Sequence, residues 1–335
     1  MKKISRFGMS CFSVPLGFPL QGQREKGDWV MQLVGKGFAS SAYVCPTDRR
    51  TPATRHPRHI LKGIQSMPRP AAVLPLPLQF LLAGGITGPE SPGFGKPDPG
   101  DLKVLFIGSS YLAVNDMPGI FEDMAEAAGK SVFVAGRVQS GYYLDFFAED
   151  PITDQAIRKH KWDVVIFSGG CQTAAYPDTH HQIRTDWGRH DPGPALETLA
   201  DRVRSHSPGA IPIYMMPWAF EDGMTWIPGQ TDDYFAMQER IRDNALAWAG
   251  SLNLVVAPVG IAWKKVMDGG VSTHYLHMND WNHPSPRGSY LSAATVFSTV
   301  FKESTEELDF DWALASFEAE AFREIASGVV MDSLA

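Results

Sequence analysis

The sequence predicts an α/β fold, a three-layer α/β/α sandwich with a central five-stranded parallel sheet. From residue 101 onwards, short apolar segments alternate with longer segments that carry helical periodicity. The apolar segments are continuous rather than alternating, which is typical of strands covered on both faces. The composition, with 44% hydrophobic and 20% charged residues over 335 positions, is ordinary for a globular protein of one large domain or two small ones.

Five apolar segments are predicted strands, in order residues 103–108, 131–138, 163–168, 211–216 and 254–257. The first reads Lys-Val-Leu-Phe-Ile-Gly and the third Asp-Val-Val-Ile-Phe-Ser, so both contain the β-branched and aromatic residues that favour strands. Ligands of parallel α/β sheets bind beyond the carboxyl ends of the strands. The positions of interest therefore follow the strands directly: Ser109-Ser110, Ser140-Gly141, residues 169–172 and Pro217-Trp218.

Helices are predicted between the strands over residues 117–129, 152–160, 194–207 and 233–249, and after the last strand over 285–301 and 312–326. The first of them is amphipathic and ends at Gly129, a residue type that commonly terminates helices. The segment 285–301 begins with a serine followed by a proline, which is typical of a helix N-terminus. Strand and helix thus alternate through residues 101–330, which we predict to form one domain.

The first hundred residues have a different character. Residues 1–66 are rich in Pro, Gly and Ser without sustained periodicity, and residues 1–70 carry a net charge of +9. We expect residues 1–66 to be disordered, or to be an extension upstream of a mis-assigned start. Residues 67–85 resemble a secretory signal peptide, with a methionine, a basic residue and then an apolar run. Residues 86–100, which are rich in Gly and Pro, are predicted to be a linker.

This N-terminal pattern bears on localisation. If translation begins at Met67, the protein is expected to be periplasmic or secreted, and otherwise cytoplasmic. The alternative is that residues 71–83 are an internal hydrophobic segment that packs on the domain. The apolar run is shorter than the roughly 20 residues of a membrane span, and no lipoprotein cysteine follows it, so no stable membrane anchor is expected.

Charge and cysteine content exclude several classes of protein. Because the whole chain carries −7, residues 71–335 carry −16, and so acidic a body is not expected to bind nucleic acid. Three cysteines are too few for a disulfide framework, and Cys171 is expected to be a small, partly buried hydrophobic residue. The sequence contains no glycine-rich phosphate-binding motif, so no cofactor is expected.

Two segments carry candidate catalytic residues. Ser110 directly follows the glycine and serine that end the first predicted strand, so its hydroxyl is expected at the sheet edge near the start of a helix. Asp280 and His283 stand three residues apart, so one tight turn can aim the carboxylate at the imidazole. A serine hydroxyl needs such a base to become a nucleophile, and together the three residues predict a Ser-His-Asp triad.

A metal site is the alternative for this region, because His274, His277, Asp280 and His283 recur every three residues. Three-residue steps drift around the face of a helix and a proline ends the stretch, so we favour the triad over a metal. Aromatic residues in predicted loops are candidates for lining a sugar or acyl pocket: Trp187, Trp218, Phe220, Trp226 and Trp281.

The blocks Phe-Ile-Gly-Ser-Ser-Tyr at residues 106–111 and Asp-Trp-Asn-His-Pro-Ser at 280–285 together resemble the SGNH (GDSL-type) hydrolases. The closer resemblance is to the branch with a first block Phe-Ile-Gly-Asn-Ser and a last block Asp-x-x-His-Pro-Ser, and it covers about residues 101–303. It implies a flavodoxin-like fold, with Ser110 as the nucleophile and the aspartate and histidine of the last block as its partners. The chain departs from the pattern at Ser109, where the family has Asp or Asn.

The resemblance also implies an oxyanion hole. Its donors would be the backbone N–H groups of Ser110 and Gly141, the latter in the second block Gln-Ser-Gly. The third block is Gly-x-Asn in the family, and Gly170-Cys171-Gln172 aligns a glutamine with that asparagine. Glutamine presents the same amide N–H one methylene further out. The alternative is that Gln172 is a loop amide satisfied locally.

The sequence thus predicts a serine esterase that acts on carboxylic esters. The resemblance favours an O-acyl (acetyl) group on a carbohydrate, small or polymeric, as the substrate. Two alternatives stand beside it: a lipase or thioesterase on longer acyl chains, and a catalytically silent SGNH-like domain that binds glycans.

Overall fold

The structure is a computed structural model, and it describes residues 20–25, 28–33, 41–43, 96–177, 190–226 and 232–334. The chain divides into two units, residues 1–77 and 78–335. The first contains an antiparallel sheet of order β1-β2-β3, with β1 over Leu20–Glu25, β2 over Asp28–Leu33 and β3 over Ser41–Tyr43.

The sequence analysis did not anticipate these three strands, because residues 1–66 lack a sustained alternating pattern. The origin proposed for this segment, an extension upstream of Met67, stays a prediction. The predicted signal peptide at 67–85 and residues 86–95 of the predicted linker lie outside the described residues.

The second unit is built on a five-stranded, all-parallel sheet of order β5-β4-β6-β7-β8. Its strands are β4 over Leu102–Gly108, β5 over Val132–Val138, β6 over Val164–Ser168, β7 over Ile211–Met215 and β8 over Val255–Ala257. All five match predicted strands to within one residue at each end. The predicted α/β class with a central five-stranded parallel sheet is therefore confirmed.

Helices connect and flank these strands. They are α1 over Ser110–Ala113, α2 over Met117–Ala127, α3 over Leu144–Glu149, α4 over Pro151–Lys159, α5 over Cys171–Ala175, α6 over Pro192–His206, α7 over Tyr234–Leu252, α8 over Val259–Asp268, α9 over Pro286–Phe301 and α10 over Ser316–Leu334. Helix α9 packs against α2, α8 and α10, whereas α3 packs against α6 and α5 against α7. The two groups give the predicted layers on either side of the sheet. Within the described part of the chain, no helix is both long and apolar enough to cross a bilayer.

Four of these helices, α1, α3, α5 and α8, were not predicted. The first three have only four to six residues, which is too short for a helical period to stand out. Helix α8 follows β8 in a nearly continuous apolar run, so the hydrophobic pattern does not separate strand from helix. The last helix was predicted over 312–326, but it begins at Ser316 and continues to Leu334.

The two central strands are the most deeply buried part of the sheet. Val104 through Ile107 in β4 are fully buried, and every residue of β6 is buried. Burial on both faces explains the continuous apolar runs seen in the sequence. Strand β4 is also the point at which the sheet order reverses, because the chain passes from β4 to β5 on one side and then to β6 on the other. In sheets of this order, ligands bind in the crevice beyond the carboxyl ends at that point.

Gly108, the last residue of β4, holds the two central strands together at that crevice. It pairs with Ser168 of β6, and a Cβ at position 108 would lie 2.7 Å from the Ser168 Cβ and 2.8 Å from Leu112 Cδ1. Real Cβ atoms do not approach other atoms so closely, so only glycine fits without displacing a strand or α1.

We expect Gly108→Ala to lower the free energy of unfolding by about 1–3 kcal/mol, because the added methyl group overpacks a buried junction. Urea denaturation followed by circular dichroism measures this. The matched control is Gly250→Ala, since a Cβ at this exposed position of α7 meets no atom within 4 Å. It should raise the free energy of unfolding by about 0.5–1 kcal/mol. Equal effects at the two positions would contradict the close packing described for Gly108.

Candidate active site

Ser110 is the first residue of α1, directly beyond the carboxyl end of β4. The chain turns at Ser109, whose carbonyl accepts hydrogen bonds from the backbone N–H groups of Leu112 at 3.0 Å and Ala113 at 3.2 Å. The first N–H groups of a helix have no acceptor within the helix. The turn therefore presents the Ser110 hydroxyl and its own N–H group together at the edge of the sheet.

Asp280 and His283 lie in a loop that a β-bridge between His277 and Pro284 closes. The Asp280 Oδ1 atom accepts the backbone N–H groups of Asn282 at 3.2 Å and His283 at 3.0 Å, which shapes the turn. Its other oxygen, Oδ2, lies 2.6 Å from His283 Nδ1. The carboxylate thus determines both the path of the backbone and the orientation of the imidazole.

The loop brings the imidazole to the serine. His283 Nε2 lies 2.8 Å from Ser110 Oγ, across 173 positions of sequence. Serine, histidine and aspartate therefore form one continuous hydrogen-bonded chain. This is the arrangement in which a histidine can accept the serine proton while the aspartate holds the imidazole tautomer.

The pKa of Asp280 is lowered in this arrangement. Burial on its own would raise the pKa, but it is outweighed by hydrogen bonds from the backbone N–H and the imidazole of His283 and from the backbone N–H of Asn282. The side chain is 48% exposed, so solvent screens part of the effect. Asp280 is accordingly an anion at neutral pH, as a partner for a charged imidazole must be.

A cavity of about 480 Å³ opens in front of the Ser110 and His283 side chains. Both remaining candidates for the oxyanion hole line it, Gly141 and Gln172. Gly141 has φ +81°, a left-handed conformation that favours glycine. Gln172 lies in the first turn of α5 beyond β6, and its Nε2 donates to the hydroxyl of Tyr143 at 3.2 Å. The cavity lining therefore includes Ser110, Gly141, Gln172 and His283, and Asp280 contacts His283 outside the lining.

Sequence reasoning missed a contact that joins the two motifs to the turn after β6. The Tyr111 hydroxyl lies within hydrogen-bonding distance of Asn282 Oδ1 and, at 2.9 Å, of Cys171 Sγ. The Tyr111 ring stacks on Trp218 at a centroid distance of 4.5 Å, and the Trp218 Nε1 donates to the Asn282 carbonyl at 2.9 Å. The turn after β4, the turn after β6 and the histidine loop therefore meet at one phenol. Tyr111 and Asn282 each lie within one of the two motifs, and this was the only feature of the sequence that could have indicated their contact.

Cys171 takes no part as a nucleophile in this arrangement. It is fully buried rather than partly buried as predicted, and burial raises the pKa of its thiol to about 12. Only the thiolate is nucleophilic, so the side chain acts as a small hydrophobic group with a weak hydrogen-bonding sulfur.

The four residues considered for a metal site do not converge. His277 is buried, with Nδ1 2.6 Å from the Thr273 carbonyl oxygen and Nε2 2.9 Å from that of Ala219. His274 is directed instead at Glu221, with its Nδ1 2.8 Å from Oε2. Across the residues with described positions, no three His, Cys, Asp or Glu side chains are arranged to hold a metal ion. The Asp280–His283 pair is thus free to serve Ser110.

No protein-family model matches the sequence, and no curated protein matches it. Solved structures do match. A DUF4886 family protein from Bacteroides uniformis has a TM-score of 0.58 at 15% identity, over 69% of this chain and 95% of that chain. At this identity the likeness shows a shared fold and nothing about activity.

Two further solved structures are similar at lower TM-scores. A candidate SGNH hydrolase from Slackia heliotrinireducens matches with a TM-score of 0.46 at 20% identity, over 60% of this chain and 99% of that chain. A mutant of an acetyl-xylooligosaccharide esterase from Geobacillus stearmophilus matches with a TM-score of 0.41 at 19% identity, over 64% of this chain and 96% of that chain.

The lowered pKa of Asp280 predicts a pH-dependent contribution to stability. A depressed carboxyl pKa stabilises the folded state above the unfolded value of 3.8, and this contribution is lost as the pH falls through the folded value. The difference in unfolding free energy between wild type and Asp280→Asn should therefore shrink progressively as the pH falls below about 5. Urea titrations of both proteins across this range measure it, and a constant difference would contradict the role given to the carboxylate.

Proposed function

We propose that the protein is a serine esterase of the SGNH type that hydrolyses carboxylic esters through an acyl-enzyme on Ser110. The observation that carries the proposal is the hydrogen-bonded chain from Ser110 Oγ through His283 to Asp280, at 2.8 and 2.6 Å. It opens into a cavity that also holds two candidate oxyanion donors. Nucleophile, base and orienting carboxylate at such distances form the minimal apparatus for acyl transfer.

In the proposed mechanism, Ser110 Oγ bonds to the ester carbonyl carbon while its proton passes to His283 Nε2. The tetrahedral oxyanion faces the N–H groups of Ser110 and Gly141 and the Gln172 amide. Collapse breaks the bond to the alcohol oxygen, which takes the proton from the imidazolium. Water then attacks the acyl-enzyme by the same route, since His283 accepts a water proton and returns it to Ser110, and the carboxylic acid leaves.

The cavity favours a short acyl group on a polar alcohol. Its lining consists of hydroxyl, amide, aromatic and glycine residues, and no aliphatic side chain contributes to it among the described residues. A long acyl chain gains affinity chiefly from apolar surface, which this lining supplies only through tyrosine rings. We therefore place an acetyl ester of a carbohydrate ahead of a lipase or thioesterase substrate. Faster turnover of octanoyl than of acetyl esters would reverse that order.

Trp281 supplies a second argument for a carbohydrate. It follows Asp280 of the proposed triad and precedes Asn282 in the chain. Its side chain is 61% exposed, and its φ is +60°. A bulky residue in the left-handed region is disfavoured, so a turn alone would be better served by glycine or asparagine. An exposed indole in the same loop as His283 can stack on the apolar face of a sugar ring.

The other aromatic candidates divide by burial. Trp218 is buried against Tyr111 and Trp263, so it belongs to the core, whereas Trp226 is exposed beside Phe220. Trp187 lies outside the described residues.

We also propose that the protein is exported to where polysaccharide esters occur. This part of the proposal rests on the signal-peptide pattern of residues 67–85.

Ser110→Ala should lower kcat for a chromogenic acetyl ester on the order of 10³-fold or more, because the nucleophile is lost while the fold is retained. It should also abolish labelling by a fluorophosphonate, detected by mass spectrometry. Ser251→Ala, at an exposed hydroxyl near the end of α7, is the matched control and should behave as wild type. A wild-type protein that binds glycans but neither turns over esters nor takes the label would instead establish the silent binding domain.

Trp281→Gly should raise KM for an acetylated oligosaccharide about 2- to 10-fold more than for the small chromogenic ester, because an aromatic stack contributes about 0.5–1.5 kcal/mol. Glycine is chosen because it relieves the left-handed conformation, so a loss of folding does not confuse the result. Phe317→Ala is the control, since this side chain is 73% exposed on α10 and lies outside the histidine loop. Equal changes in KM for both substrates would show that the Trp281 indole does not contact the sugar.

A further inference from the structure

We propose that Tyr143 is a positioning residue that aims the Gln172 amide at the oxyanion, and that buried His190, paired with Asp145, holds the Tyr143 ring in place. This inference rests on the proposed esterase function and deepens it. It concerns the position at which the chain departs from the SGNH pattern, with glutamine instead of asparagine. A longer side chain has one more rotatable bond, so its amide needs an external constraint to act as a fixed donor.

The Gln172 side chain lies folded over Gly170. A Cβ at position 170 would stand 2.8 Å from Gln172 Oε1 and 3.3 Å from Nε2. A side chain at position 170 would therefore displace the glutamine amide. On the far side, the Cys171 Sγ approaches Oε1 at 3.7 Å, and the Tyr143 hydroxyl accepts from Nε2 at 3.2 Å. The amide thus has its oxygen toward the thiol and its nitrogen toward the phenol.

This orientation matters because a carboxamide nitrogen carries two N–H groups. The Tyr143 hydroxyl accepts one of them. Gln172 and Tyr143 both line the cavity of Ser110, so the second N–H is the one available to an oxyanion there. Donors that are already oriented cost no reorganisation when charge develops, which is the source of their catalytic effect.

The Tyr143 ring is itself held by a compact aromatic cluster. His190 stacks on it at a centroid distance of 4.0 Å with 15° between the planes, and the ring of Phe146 meets the His190 ring edge-on at 4.9 Å. His190 is only 7% exposed, and its Nδ1 lies 2.7 Å from Asp145 Oδ2. Tyr143 caps α3, and Asp145 and Phe146 follow within that helix, so one helix turn supplies most of the cluster.

These contacts form a continuous series from the buried His190 to the cavity in front of Ser110. Asp145 orients His190, His190 fixes the plane of Tyr143, and Tyr143 orients Gln172. None of the first three touches the reacting atoms in the proposed mechanism. Their effect on catalysis is therefore expected only through the glutamine amide, which separates positioning from a general loss of structure.

The test is a double-mutant cycle on Tyr143→Phe and Gln172→Ala, with kcat and KM measured on a short-chain chromogenic ester. Tyr143→Phe should lower kcat about 10-fold with KM changed less than about twofold, because the oxyanion exists only in the transition state. Gln172→Ala should lower kcat about 10²–10³-fold. The double variant should be no slower than Gln172→Ala alone, since Tyr143 has nothing left to orient.

Two further variants sharpen the result. In Gln172→Asn, the shorter amide no longer reaches the phenol, so adding Tyr143→Phe should change kcat by less than about twofold. Tyr234→Phe removes the same phenol oxygen from a buried tyrosine that is outside the cavity lining and whose hydroxyl has no hydrogen-bond partner among the described residues. It is the matched control and should show wild-type kcat and KM.

A second readout is the rate of phosphonylation of Ser110 by a fluorophosphonate, since the phosphonyl oxygen occupies the same hole. It should fall in parallel with kcat in each variant. If Tyr143→Phe fails to fold by circular dichroism, His190→Gln replaces it and should lower kcat only when Gln172 is present.

Wild-type kcat in Tyr143→Phe, or independent and additive losses in the double variant, would overturn the inference while the wild type still turns over ester. A wild type inert to both the ester and the fluorophosphonate would instead overturn the proposed function.

Discussion

The close approach of β4 and β6 at their carboxyl ends is the constraint on which the rest of the site depends. Gly108 pairs with Ser168 in parallel register, and the space between the strands admits no Cβ. Because the connections leave the sheet in opposite directions at this point, the turns that follow β4 and β6 open into one crevice. Ser110 stands in the first turn and Gln172 in the second, so one packing contact sets the separation of the Ser110 hydroxyl and the Gln172 amide.

The histidine loop depends on a different kind of interaction. Its internal shape is local, because Asp280 accepts hydrogen bonds from the backbone two and three residues further on. Its position against Ser110 is not local, and the buried phenol of Tyr111 links the two segments by touching Asn282. A satisfied buried polar contact favours one arrangement, since any other leaves its groups without partners. The phenol thus ties the histidine loop to the segment that carries Ser110.

The two departures from the SGNH pattern have separate physical explanations. Ser109 is 6% exposed, and its side chain makes no capping hydrogen bond, whereas its carbonyl accepts the backbone N–H groups of Leu112 and Ala113. The position therefore contributes backbone geometry, for which serine suffices. Gln172 places its amide farther from the chain than an asparagine would, and the Tyr143 hydroxyl supplies a hydrogen-bond acceptor within reach of this longer side chain.

By itself, the sequence determined the parallel α/β sheet and the orientation of Asp280 toward His283. Burial on both faces leaves continuous apolar runs, and a three-residue separation lies within a single turn, so both features are local. Only the tertiary structure decided that Ser110 meets His283, and it revealed the contacts of Tyr111, Tyr143 and His190, to none of which the sequence assigned a role. Contacts between residues far apart in the sequence follow from how helices and strands pack, and hydrophobic periodicity carries no information about that packing.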